Sequence, residues 1–412
     1  MNIAQQQHGF SKKLMVLSVL AAIGPALAEE GEDIAQYTKP ESSVSIGVSG
    51  ASGDSRERAI YGQYNGMRNH SGSLLLDIDM VKREDATGKW TTLEGHNLGL
   101  DDRDLRFSQQ LQGDWKYYVD YSQLVHREIR TINTGMQGAG TTTPSVVLLS
   151  APGTGTDLDL KVKRESIGFG MDKWFGSSLK FDLTAKSEDK EGARLWGKGF
   201  NCTTPTPYVP GTSSGSSSLP PGVCLPGAPT AGVSQWALLM LPEPIKSTTR
   251  QIEAKLNFSS DKMLLTGGYY GSFYSNAYGR LAPNVPGTLN NPLGAPTTIL
   301  ADLQNILRQP IALPPDNEAH QFYVSGNYAF TPTTRTTFKY AFTRAKQTDN
   351  FLGNGLTDAP SGSNDLGGKI DTHLLQLGLT THPMQKLSVL ANLRYEDRKD
   401  KTPQALYSVE GI

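Results

Sequence analysis

Few residues in this 412-residue chain are placed to do covalent chemistry. Its two cysteines, Cys202 and Cys224, share one Gly/Ser/Pro-rich stretch. Their spacing is not the C-x-x-C of a redox motif. In an oxidising compartment a structural disulfide between them is the simplest expectation, with a redox thiol pair as the alternative. Two cysteines cannot build a zinc cluster, and no C-x-x-C-H run is present to attach a c-type haem. Gly211-Thr212-Ser213-Ser214-Gly215 matches the nucleophile-elbow string. It lacks the strand-to-helix turn that exposes such a serine, so it reads as a chance match. His8, His70, His96, His126, His320, His373 and His382 are scattered and form no ligand pair. His126 beside Arg127 and Arg130 is a local anion-binding pattern, with a solvated loop base as the plainer reading. There is no P-loop and no dinucleotide fingerprint. No catalytic, cofactor-binding or metal residue is therefore expected, and the chain does not read as an enzyme.

What remains is charge arranged by position. Lys116 and Asp120, Lys161 and Lys163 near Asp159, Lys180 with Asp182, Glu253 with Lys255, and Lys339 all lie in stretches where polar and apolar residues alternate singly. In 113–123, Trp115, Tyr117, Val119 and Tyr121 oppose Lys116, Tyr118, Asp120 and Ser122. The pattern recurs in 178–187, 251–258, 335–343 and 387–396. Period-two alternation means strands with one apolar and one polar face. The best helical candidate, Thr298–Arg308, lies in a loop. Short turns at 172–177, 259–262, 331–334 and 382–386 alternate with long connections at 124–157, 188–247, 275–318 and 347–369. A soluble sandwich has more even connections; alternating tight turns and long loops mark an antiparallel up-and-down transmembrane β-barrel. Trp174, Phe175, Phe258, Phe330 and Tyr395 near strand ends are expected in interfacial girdles. If the apolar face meets lipid, Lys116, Asp120, Lys161, Lys163, Lys180, Asp182, Glu253, Lys255 and Lys339 point into the lumen.

Composition supports this class. The chain has 43 Gly, 24 Pro and a formal charge of −1, so it carries no electrostatic footprint for nucleic acid. No apolar run after residue 28 approaches the ~20 residues a membrane helix needs. Lys12 and Lys13, the apolar stretch Leu14–Ala28 and its Ala26-Leu27-Ala28 end read as a signal peptide at 1–28, cleaved after Ala28. The expected organisation is that leader, a periplasmic segment at 29–41 and an outer-membrane barrel at 42–412.

Several stretches resemble the MtrB/PioB family of outer-membrane barrels that accompany decahaem c-type cytochromes. The clearest is Leu313-Pro314-Pro315-Asp316-Asn317-Glu318-Ala319-His320-Gln321-Phe322, followed by Thr333-Thr334-Arg335-Thr336-Thr337 and by Gln347 ahead of Phe351-Leu352. Tyr270-Gly271-Ser272-Phe273-Tyr274-Ser275-Asn276, Lys163-Arg164-Glu165-Ser166 and Lys190-Glu191-Gly192-Ala193-Arg194 are similar to the same family. The resemblance implies a sheath through the outer membrane. A periplasmic decahaem cytochrome would occupy the lumen, an extracellular multihaem cytochrome would dock on the loops, and the barrel itself would carry no cofactor. Some family members have a C-x-x-C near the mature N-terminus, which this chain lacks.

The rival reading is a diffusion porin or substrate-specific uptake channel, which the same strands would serve. Pattern counting gives about thirteen strands, an odd number, whereas single-chain bacterial barrels close with even numbers. The expectation is therefore an incomplete, open barrel whose strands near 42–49 and 387–398 do not pair, in a chain truncated at its C-terminus.

Overall fold

The computed structural model describes residues 19–22, 41–68, 72–202, 235–290, 294–299, 301–356 and 363–404. Its framework is one antiparallel sheet of fourteen strands. These are β1 (Val19–Ala22), β2 (Ser43–Gly50), β3 (Gly72–Glu84), β4 (Lys89–His96), β5 (Arg103–Leu111), β6 (Trp115–Arg127) and β7 (Lys161–Phe175). They continue as β8 (Leu179–Cys202), β9 (Gln235–Ser259), β10 (Met263–Asn276), β11 (Asn317–Thr331), β12 (Thr334–Gln347), β13 (Gly368–Met384) and β14 (Leu387–Asp400). Each strand pairs with its neighbours in sequence, and β1 does not pair with β14, so the sheet is open. The thirteen strands read from alternation are all present. β1 is the addition, a four-residue strand inside the expected leader 1–28, whose other residues lie outside those described.

The tight turns, at 85–88, 112–114, 176–178, 260–262, 332–333 and 385–386, all lie at one end of the sheet. Gly113 (φ 80°) and Gly176 (φ 68°) supply the left-handed backbone two of these turns need. From β6 onward the long connections all lie at the other end, which is the polarity of an outer-membrane barrel.

Register fixes the faces. Across β6 to β9, Tyr117, Met171, Leu183 and Ala254 form one rung, and Val119, Phe169, Ala185 and Ile252 the next on the same side. Between them lies the rung Tyr118, Gly170, Thr184 and Glu253 on the opposite side, and the rung Lys116, Asp172, Asp182 and Lys255, next toward the turns, shares that side. The apolar side is the open one: Ile167 is 58 % exposed and Phe322 56 %, against 6 % for Asp182 and 3 % for Ala341 on the polar side. The apolar face is thus the one turned to lipid, and the polar face lines the lumen. Toward the loop end the lipid face passes through Tyr269, Phe273, Phe322, Phe342 and His373 into ion pairs. Among these are Lys163–Glu165 at 2.8 Å, Lys346–Glu318 at 3.2 Å and Arg344–Asp371 at 2.7 Å.

This register corrects two placements. Lys161 and Lys163 have the parity of Ile167, Phe169 and Met171, with no bulge between them, so they lie at the outer rim of the lipid side and not in the lumen. Trp174 is opposite Lys180 and lies on the lumenal side, not in a lipid-facing girdle.

The connections also differ from expectation. Where a loop was read at 188–247, β8 and β9 run on for 24 and 25 residues as a paired ribbon, leaving only 203–234, which lies outside the described residues. A strand of 24 residues is about 80 Å long at ~3.3 Å per residue, far beyond the ~25 Å apolar band. The upper half of the ribbon therefore stands outside the membrane. Connection 124–157 shifts to 128–160, and 347–369 narrows to 348–367. A short helix, α1 (Ser55–Tyr61), appears where none was expected; Asp54 caps it by accepting from the Glu57 amide at 2.8 Å.

The predicted helix forms as α2 (Ala301–Arg308). Leu303 and Leu307 of α2 are fully buried against Leu239 and Leu241 of the ribbon, Met136, Leu281, Val285 and Leu313. This external cap holds the only hydrophobic core cluster among the described residues. The membrane sheet has none, because its apolar side chains face lipid.

Candidate functional site

The site with the most chemistry is the lumenal wall of β5–β12. Its rungs are Lys116, Asp172, Asp182, Lys255 and Gly268, then Tyr118, Gly170, Thr184, Glu253, Tyr270 and Gln321, then Asp120, Gly168, Lys186, Gln251 and Ser272. Several ions here neutralise one another, within a strand and across strands. Lys180 bridges Asp172 at 3.3 Å and also binds Asp182, which accepts in addition from the Asn257 amide. Thr266 donates to Asn257 at 2.8 Å, fixing that amide. The Tyr323 hydroxyl donates to Glu253 at 2.6 Å, and Lys255 approaches the same carboxylate at 4.0 Å. Lys180 also sits over the Trp174 ring at 5.9 Å. A charge in a lumen so close to hydrocarbon needs such partners, because an unpaired buried ion is costly.

Glycines shape the wall. A Cβ at Gly170 would lie 2.2 Å from the Tyr118 ring, and one at Gly268 2.6 Å from the Tyr323 ring. Both tyrosines therefore lie flat across a neighbouring strand, and Arg106 stacks over Tyr118 at 4.1 Å. The resulting groove of about 330 Å³ is lined by Tyr118, Asp120, Thr184, Lys186, Glu253 and Tyr270. It offers hydrogen-bond donors, acceptors and both charge signs to a polar surface. It has no nucleophile–base pair, and among the described residues no group of three His, Cys, Asp or Glu side chains is set to hold a metal ion.

Of the residues expected in the lumen, Lys116, Asp120, Lys180, Asp182, Glu253, Lys255 and Lys339 lie on this face. Lys180, Asp182, Glu253 and Lys255 share one network with Asp172, Asn257 and Tyr323. Lys339 stands apart, opposite Ser325 and Gln376. Lys161 and Lys163 are on the other side. Asn257, Tyr323 and the wall glycines were missed, since only the cross-strand register reveals them. The backbone of Cys202 ends β8, whereas Cys224 lies outside the described residues.

The even-numbered side of β8 continues upward into the cap. There Arg194 makes a two-pronged contact with buried Glu243, at 2.8 and 3.0 Å, which raises the guanidinium's affinity for its proton. Lys198 donates to the carbonyls of Ile306 and Gln309 at 2.7 and 3.0 Å. It thereby closes the C-terminal end of α2 with a positive charge, while burial pulls its ammonium below the usual lysine range. The cap is thus pinned to the lumenal side of the ribbon.

The family model described as "Putative outer membrane beta-barrel porin, MtrB/PioB" matches residues 53–411. "Outer membrane protein MtrB" of Shewanella baltica (strain OS185) is 23% identical over 423 residues, covering 95% of this chain and 53% of that protein. The chain therefore spans about half the length of the curated relative it matches. Among solved structures, OmpT of Vibrio cholerae aligns with a TM-score of 0.30 at 11% identity, over 86% of this chain and 76% of that one. A Pseudomonas aeruginosa FadL homologue aligns with a TM-score of 0.27 at 8% identity, over 87% and 70%.

Proposed function

Because the chain belongs to the MtrB/PioB family of outer-membrane β-barrels, we propose that it forms the wall of a sheath around a periplasmic multihaem c-type cytochrome. Electrons would then cross the outer membrane from haem to haem. The observation that supports this best is the lumenal face of β6–β12: mostly polar, carrying both charge signs, with ions paired along and across strands, as Lys180 is between Asp182 of its own strand and Asp172 of the next. Such a wall suits a large polar partner. Charged haem proteins cannot enter hydrocarbon unaided, and a barrel offers lipid its apolar side and the partner its polar side. The haems stay on the partner and this chain holds no cofactor. An external multihaem cytochrome would dock at the cap end.

The test is purification of the full chain from native membranes followed by haem staining. A haem-stained c-type cytochrome that stays with the chain through washing is the expected result; a haem-free preparation from membranes that contain such a cytochrome overturns the reading. The family description favours a second reading, a diffusion pore. Planar-bilayer recordings separate the two: a sheathed lumen gives little conductance until the partner is removed, whereas a diffusion pore conducts as purified.

A further inference from the structure

On the lipid side, β7, β8, β9 and β10 enclose a groove of about 550 Å³. Its floor is small because Ala185 and Ser187 of β8 stand between larger neighbours. Ile167 and Phe169 rise on one side, and Ile252, Arg250 and Phe273 on the other. The groove lies across two rungs, Val119–Phe169–Ala185–Ile252 and Tyr121–Ile167–Ser187–Arg250, with Phe273 next in line on β10. It is open, with Ile167 58 % and Ile252 37 % exposed. Side chains that meet only fluid lipid have no need of a shaped channel.

The groove is chemically two-ended. Toward the turns it is wholly apolar. At its loop end sits Arg250, exposed on the same face. The neighbouring cations of that rim are neutralised within the sheet: Lys163 by Glu165, Lys346 by Glu318, Arg344 by Asp371. Among the described residues the Arg250 guanidinium makes no ion pair, and it is the cation at the groove itself, with Ser187 and Phe273 flanking it in register. An arginine at the membrane–water boundary suits a phosphate, to which its planar fork can bind through two N–H groups.

We propose that this groove is a lipid site. It would hold one acyl chain of a phosphorylated glycolipid of the outer leaflet, with the phosphate on Arg250. The loop end of an outer-membrane barrel faces outward, which places Arg250 at the outer leaflet's headgroups. The inference rests on the outer-membrane placement and not on the cytochrome-sheath reading, so either can fail alone.

The test is native mass spectrometry of the full chain released from detergent. The probes are a diphosphorylated, acylated glucosamine disaccharide, the same lipid dephosphorylated, and phosphatidylglycerol. One tightly held copy of the phosphorylated glycolipid per chain is expected. Arg250→Gln should weaken it about fivefold, the worth of one basic side chain at a charged membrane surface. Dephosphorylation should cost the unaltered chain a similar factor, and inorganic phosphate should not compete. Ala185→Phe, which fills the floor, should abolish the held copy in protein whose folding is checked by heat-modifiable gel migration. Should that variant not fold, Ser187→Leu serves as the groove-filling change. Equal occupancy in the unaltered chain, Arg250→Gln and the groove-filling variant overturns the proposal, as does phosphatidylglycerol binding as tightly as the phosphorylated glycolipid.

Discussion

Arg194 and Glu243 are unequally placed: the carboxylate side chain is 10% exposed and the guanidinium 54%. Removing the acid frees an arginine that can turn to water. Removing the arginine strands a buried carboxylate, which costs about 1–3 kcal/mol or more. Arg194→Met should therefore speed hydrogen exchange in the cap segment 277–316 more than Glu243→Gln does. Equal effects would mean that the acid is satisfied some other way. The Cys202–Cys224 disulfide remains a proposal with a direct check. Denatured, unreduced protein should take up no maleimide, and two labelled thiols per chain would refute it. At this scale the sequence was readable by parity. Lys116, Asp120, Lys180, Asp182, Glu253, Lys255 and Lys339 alternate with apolar residues and share the polar face of the sheet. Lys161 and Lys163 misled because charge was equated with lumen. Above the apolar band both faces meet headgroups or water, so a lysine there says nothing about side.

Among the elements, the ribbon of β8 and β9 was the least legible. Gly192, Gly197 and Gly199 in one strand and Pro242 and Pro244 in the other are residue types that locally mark loops. The partner strand overrides them by supplying a complete run of rungs from Leu179–Phe258 to Cys202–Gln235. Gly192 has its own reason: a Cβ there would lie 2.0 Å from the Lys161 carbonyl oxygen, where β7 begins. Helix α1 did leave a signal, Asp54 followed three residues later by Glu57 at its start. The cap depends on α2, so Leu307→Ala should cost it about 2–5 kcal/mol. Limited proteolysis should then cut within 277–316 while the membrane strands stay protected. Cleavage of both regions together would show that cap and sheet unfold as one unit.

For the whole molecule, two-sidedness sets the cost of every substitution in the sheet. Leu183 and Thr184 are adjacent, yet one faces lipid and the other the lumen. Leu183→Arg should depress membrane assembly by about 2–4 kcal/mol, as a midplane arginine on a lipid face does, and Thr184→Arg by much less. Equal yields of heat-modifiable protein would reverse the assignment of faces. The linear strand order has a kinetic meaning as well. Every rung of the sheet joins strands adjacent in sequence, so each hairpin across a tight turn can close before any distant part of the chain arrives, and the entropy of closing a large loop falls only on pairings across the long connections. Such a sheet can grow by zippering, each finished hairpin offering its free edge as the template for the next. Its fidelity then rests on the first rungs beside each turn. A slip of one residue there would turn Ile167, Phe169 and Met171 toward water and Asp172 toward lipid, an error felt at once along the whole strand.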